Sequence, residues 1–352
     1  MVRSILGRGP FFRVAATVIG AVCAVGMTAT LTSAAGAAGA AGASGAANAS
    51  EQTLHIAYMS FSVQNSYDAP MLAAAQKQAK ASHAVLTVFN AATTPTKQYN
   101  ELQTVISSHE YQGIITQPIE STNLISLVRE AIADHIAVAN MDQELGPKLT
   151  TAAPQVKGLA ANVVFVPTKI GGKLGVLVSE ACAKFNPCNI GYMWDIKDSS
   201  LDSAIHGAFM KQIQRHKNIK VVATGQSYFT PSKGEVAAED MLTAHPTLNL
   251  IVGSDQGMEG STIAIADAGR TGKVILVGYG ASEAAVKGVE SGKWYASVAQ
   301  LPASEGQLAV KYLAESIRTH KKFGGIDPVT KVAHNGIMTK ANAASFHAQW
   351  PG

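Results

Sequence analysis

The residues best suited to hold a polar guest stand just beyond short apolar runs. After Met59 come Phe61, Gln64, Asn65, Tyr67 and Asp68; Gln117 follows Thr116, and Asp142 and Gln143 follow Met141. The second half repeats the arrangement. Trp194, Asp195 and Asp198 follow Met193, Tyr228 and Phe229 follow the run ending at Thr224, and Asp255 and Gln256 follow Gly253. Tyr279 and Gly280 come after Gly278, and Gln300 after Ala299. These are amides, carboxylates and aromatic rings, with no cluster of Cys or His. Planar polar side chains pair with hydroxyl edges, and aromatic faces stack on C–H faces, so the set suits a sugar ring. Asp and Asn at such points also cap helices, and Asp255 or Asn65 taken alone reads as a cap. Their recurrence at equivalent points favours a ligand cleft.

Catalytic patterns are missing. No G-x-S-x-G spacing offers a nucleophile elbow. Gly278-Tyr279-Gly280 begins like a dinucleotide loop, but Glu283 stands where the third glycine belongs. His109-Glu110 lacks a second His, and Asp195, Asp198 and Asp202 lack the spacing and glycine of a calcium loop. No metal, no cofactor and no enzymatic activity are therefore expected.

The elements that must position these residues alternate. Leu54 to Met59 reads as a strand, Pro70 to Ser82 as a helix, Val85 to Phe89 as a strand and Lys97 to His109 as a helix. A strand at Gly113 to Thr116, a helix at Thr122 to Asp134 and a strand at Ile136 to Met141 follow. The pattern restarts after residue 166. Helices at Ile170 to Phe185, Ser203 to His216, Pro231 to Ala244 and Gly257 to Ala268 alternate with strands at Asn189 to Trp194, Ile219 to Thr224, Leu248 to Gly253 and Val274 to Gly278. A further short strand is Ala296 to Ala299. Near-continuous apolar strands imply parallel sheets covered on both faces, so the fold class is α/β with two doubly wound lobes. Ligands of such sheets lie beyond the carboxyl ends of the strands.

Of 352 residues, 47% are hydrophobic and 15% charged, with 28 basic and 24 acidic side chains. Arg3, Arg8 and Arg13 account for most of the excess, since residues 1–50 hold no lysine and no acid. A nearly neutral body argues against nucleic acid as a partner. Those arginines precede an apolar stretch from Val14 to about Thr32, the features of a secretory signal at 1–32. A retained anchor and a lipid-bearing Cys23 are the competing readings. The stretch is barely long enough for about 30 Å of hydrocarbon, and Val22 is bulky for the residue before a lipidated cysteine. Residues 33–52 form an Ala/Gly-rich linker that builds no core. Outside the cytoplasm, Cys182 and Cys188 read as a disulfide across the Asn186-Pro187 turn, with two buried thiols as the alternative.

Four stretches together carry a family resemblance: His55-Ile56-Ala57 with Gln64-Asn65-Ser66-Tyr67; Ser227-Tyr228-Phe229 with Ser232-Lys233-Gly234; Leu242 to Pro246; and Ala299-Gln300-Leu301-Pro302. From Leu54 to about Lys340 the chain resembles the periplasmic sugar-binding proteins of ABC importers, type I, ribose-binding branch. The resemblance implies a monomer of two lobes joined by three hinge strands, 53–165 plus 301–330 and 166–300 plus 331–345. It implies that they close on a sugar and dock on a membrane permease, the protein being exported to the periplasm or cell surface. The expected ligand-binding residues are Phe61, Asn65, Tyr67, Asp68, Asp142, Gln143, Trp194, Phe229, Asp255 and Gln300. Asp255 stands where ribose binders have Asn. Asp68 replaces a stacking ring, Gln143 and a position near Ile205 replace two sugar-binding arginines, and Gly280 replaces an aspartate. Those changes imply a ligand other than ribose. Presentation of the ligand to a membrane sensor is the alternative role.

Overall fold

The computed structural model describes residues 52–352. The signal segment, Cys23 and all of the linker but Gln52 lie outside the described residues. The first lobe contains β1 (Leu54–Ser60), α1 (Asp68–Ala81), β2 (Ala84–Asn90), α2 (Pro95–Ser108), β3 (Gly113–Thr116), α3 (Ile125–Ala133), β4 (Ala137–Asp142) and β5 (Ala161–Val164). The chain then builds α4 (Pro167–Ala181), β6 (Cys188–Trp194), α5 (Ser200–Ile213), β7 (Ile219–Gln226), α6 (Pro231–Ala244), β8 (Leu250–Ser254) and α7 (Asp255–Asp267). It continues through β9 (Ile275–Gly280), α8 (Glu283–Glu290), β10 (Ala296–Ala299), α9 (Pro302–Thr319), β11 (Gly325–Ile326) and β12 (Ile337–Thr339).

Two six-stranded sheets result, in the orders β11-β5-β4-β3-β1-β2 and β12-β10-β9-β8-β6-β7. Every pairing is parallel except β10 with β12, which is antiparallel. The chain passes between the sheets three times, after β5, after β10 and between β11 and β12. Central strands such as β3 and β8 are buried throughout, whereas the edge strand β2 exposes Val85. Covering helices pack closely. Gly306 of α9 meets the backbone of α1 so tightly that a Cβ there would lie 2.1 Å from the Met71 carbonyl oxygen. Gly171 of α4 meets the Ile205 carbonyl of α5 in the same way, at 2.0 Å.

Several helices begin earlier than their periodicity suggests, and hydrogen bonds in the turns before α1 and α5 account for two of them. Asn65 Oδ1 accepts from the Tyr67 N–H and the Asn65 carbonyl accepts from Ala69, starting α1 at Asp68. Ser199 Oγ accepts from the Asp202 N–H and starts α5 at Ser200. Cys182 and Cys188 are joined as a disulfide between α4 and β6.

Candidate ligand-binding site

The carboxyl ends of the two sheets face one another across a narrow cleft whose free space, counting its opening to solvent, is about 450 Å³. The first lobe supplies Phe61, Asn65, Tyr67, Asp68, Asp142 and Gln143. The second supplies Leu201, Phe229, Gln256 and Tyr279, and the crossings supply Phe165 and Gln300. Eight of the ten expected residues thus line one space. The lobes meet across it: the Phe61 and Phe229 rings stand edge to face with centroids 6.4 Å apart, and Gln256 Nε2 donates to Ser66 Oγ at 3.4 Å.

Gln117 organises the first wall. Its Oε1 accepts from the Phe61 N–H at 2.9 Å, and its Nε2 donates to Asp68 Oδ1 at 2.5 Å and Asp142 Oδ2 at 3.0 Å. Gln98 of α2 holds the Gln117 carbonyl at 2.8 Å. Asp142 is turned toward the cleft by a left-handed backbone (φ 66°), and Asn140 Nδ2 holds the Gln143 carbonyl beside it. The Tyr67 hydroxyl donates to Glu305 Oε2 at 3.2 Å. Burial pushes the Asp142 carboxyl up to about 7. Burial, reinforced by the Asp142 charge, raises Asp68 and Glu305 well above the usual carboxylate range.

In the second wall the organiser is Asp195. Its carboxylate accepts from the hydroxyls of Ser227, Ser254 and Tyr279 and from the Phe229 N–H. The Tyr228 and Phe229 backbones are both left-handed, at φ 52° and 54°, a costly conformation for aromatic residues. Asp195, with the Tyr228 N–H donating to its carbonyl at 3.1 Å, holds that turn, which delivers the Phe229 ring to the cleft.

Two expected ligand contacts do not line the cleft. Trp194 turns onto α5, its ring 4.3 Å from His206 and 5.1 Å from Tyr192. Asp255 is fully buried at the start of α7, where it accepts from the Ser282 N–H at 2.7 Å and Ser297 Oγ at 2.8 Å. It fastens the turn after β9, and burial raises it to about 6. Ile205 lies in the core of the second lobe, with Leu201 one helical turn earlier on the cleft wall. At Gly280 a Cβ would lie 2.4 Å from the Trp350 ring, whose Nε1 donates to the Gly280 carbonyl at 3.0 Å. Gln256 and Tyr279 were legible beside expected residues; Phe165 and Leu201 carried no sequence signal beyond being apolar. Among the described residues no group of three or more His, Cys, Asp or Glu could hold a metal ion, and no helix is long and apolar enough to cross a membrane.

Comparison with known proteins places this geometry. A family model described as a periplasmic binding protein domain matches residues 56–322. The D-allose-binding periplasmic protein of Escherichia coli K12 is 27% identical over 238 residues, covering 64% of this chain and 71% of that protein. An Actinobacillus succinogenes periplasmic solute-binding protein of an ABC transporter, solved with D-allose, superposes with a TM-score of 0.71 at 21% identity, over 84% of this chain and 100% of that one. A Mycobacterium smegmatis solute-binding protein of an ABC transporter, solved with glycerol, gives a TM-score of 0.72 at 21% identity, over 86% and 100%.

Proposed function

The chain belongs to the periplasmic binding protein family, and on that premise we propose that it captures a sugar-like small molecule outside the cytoplasm and delivers it to an ABC importer permease. The observation that carries this reading is a cleft walled by both lobes, with Phe61, Asn65, Tyr67, Asp68, Asp142 and Gln143 opposite Phe229 and Gln256 and with Gln300 at the crossing. Contacts from two walls are satisfied together only when the lobes are closed, so a bound ligand shifts an open–closed equilibrium toward closure. The moving bodies are 53–165 plus 301–330 and 166–300 plus 331–345, turning about the three crossings. Relatives named for allose, and a neighbour holding glycerol, support a polyhydroxylated ligand.

A thermal-shift and calorimetric panel of pentoses, hexoses, polyols and furanoses tests this. At least one member is expected to raise the melting temperature, because a ligand bound only by the folded state stabilises it. Phe229→Ala is expected to weaken that ligand about tenfold or more while the unliganded melting temperature holds. A panel in which nothing shifts the transition overturns the reading.

Export is part of the same proposal. Arg3, Arg8 and Arg13 ahead of the apolar stretch support a cleaved signal. Intact-mass measurement of protein recovered outside the cytoplasm is expected to find a new N-terminus after about residue 32. Recovery with residues 1–32 still attached counts against it.

A further inference from the structure

The first-lobe wall gathers three buried carboxyl groups, and among the described residues no basic side chain pairs with them. Asp68 opens α1, Asp142 ends β4 and Glu305 lies in the first turn of α9; each is at most 4% exposed. Their donors are few. One Gln117 amide serves both Asp68 and Asp142, and the Tyr67 hydroxyl serves Glu305 and Asp142. Glu305 Oε1 is enclosed and has no hydrogen-bond partner. The two ion pairs among the described residues, Lys97–Glu101 and Lys169–Asp327, leave all three out. Among the described residues no Lys, Arg or His lines the cleft. The other titratable groups near the cluster are Tyr58 and Asp327, which supply no positive charge, and the facing wall offers only Leu201, Phe229, Gln256 and Tyr279.

We infer that the guest is a polyhydroxylated molecule bearing a protonated amine, an amino sugar or aminocyclitol, with its ammonium group against Asp68 and Asp142. The inference rests on the sugar-cleft reading and narrows it. Buried carboxylates are costly unless a cation or donors compensate them. An ammonium supplies both a counter-charge and three N–H donors, whereas a hydroxyl supplies one donor and no charge. The aromatic groups around the space, Phe61, Tyr67 and Phe229, present ring surfaces that also favour a cation. The carboxyl groups on one wall and the absence, among the described residues, of any lining the other together orient the guest, amine toward the first lobe and hydroxyls toward Gln256 and Gln300.

Calorimetric titration of the protein at pH 7 with matched sets provides the test: D-galactose, D-galactosamine and N-acetyl-D-galactosamine; the corresponding glucose set; and myo-inositol against an amino-deoxyinositol. In at least one set the amine is expected to bind about tenfold or more tightly than its hydroxyl parent, and N-acetylation to abolish the gain. Asp68→Asn and Glu305→Gln are each expected to shrink the preference for the amine. Melting curves of both variants establish that they fold. Parents that bind as tightly as their amines, or more tightly, overturn this inference and leave the sugar-cleft reading standing. Binding of neither kind anywhere in the panel overturns both.

Discussion

At the scale of single residues, identity and role separate most clearly at Asp255. A strand-end carboxylate beside a cleft has the chemistry of a ligand contact, yet its two oxygens are taken by Ser282 and Ser297. Asp255→Ala therefore acts on stability first. It leaves the buried Ser282 N–H unpaired, at about 1–3 kcal/mol, and the expected outcome is a melting temperature lower by several degrees. An unchanged transition in calorimetry would return Asp255 to the ligand. Gln117 shows the opposite case. A glutamine before a proline looks like loop chemistry, but its amide ties Phe61, Asp68 and Asp142 into one wall. Asn65 lines the cleft and also holds the turn that leads into α1, where its Oδ1 accepts from the Tyr67 N–H.

At the scale of elements, helix pairs fix the distances between strand ends, and so the shape of the cleft. The α1–α9 contact depends on a missing side chain at Gly306, which lets a helix that starts at the crossing lie against the helix that carries Tyr67 and Asp68. Gly306→Val would force backbone apart from backbone; overpacking of this kind costs about 1–3 kcal/mol. Gly306→Val is expected to lower the melting temperature and to weaken ligand binding together, measured by denaturation and titration of the same sample. A loss of neither would mean that the pair relaxes freely. α9 itself has Val310, Leu313 and Ile317 at helical spacing, a signal present in the sequence. β5, with four residues, and β11, with two, are too short for any period to declare them.

At the scale of the molecule, burial of carboxyl groups governs the response to pH. Asp142, Glu144 and Asp202 are raised to about 7 and Asp255 to about 6, all chiefly by burial. In the unfolded chain such groups titrate near 4. Between about pH 4 and 7 the folded state therefore binds more protons than the unfolded one, and stability falls as pH rises through that window. His206, lowered by burial, acts in the other direction as a single group. The unliganded protein is expected to melt higher at pH 5 than at pH 8, and Asp142→Asn to flatten the difference. A transition that climbs steadily from pH 5 to 8 contradicts these assignments. The chain's end adds a tie between lobes: Trp350 packs its ring 5.3 Å from Tyr67 while donating to the Gly280 carbonyl.

Alternation of apolar strands with amphipathic helices settled the α/β class and the two repeats, because strand period and helix period are written locally in side-chain types. The rim residues were legible for a related reason. Strand ends in a parallel sheet point one way, so polar residues that follow apolar runs gather at one edge. Which of them reach the ligand space was decided only by folding. Trp194 and Asp255 stand at the same kind of position as Asp142 and Phe229, but His206 and the Ser282–Ser297 pair, distant in sequence, captured their side chains. The antiparallel β12, the enclosed Glu305 and the ring of Trp350 at Gly280 likewise arise from contacts between remote segments, and no window of neighbouring residues contains both partners.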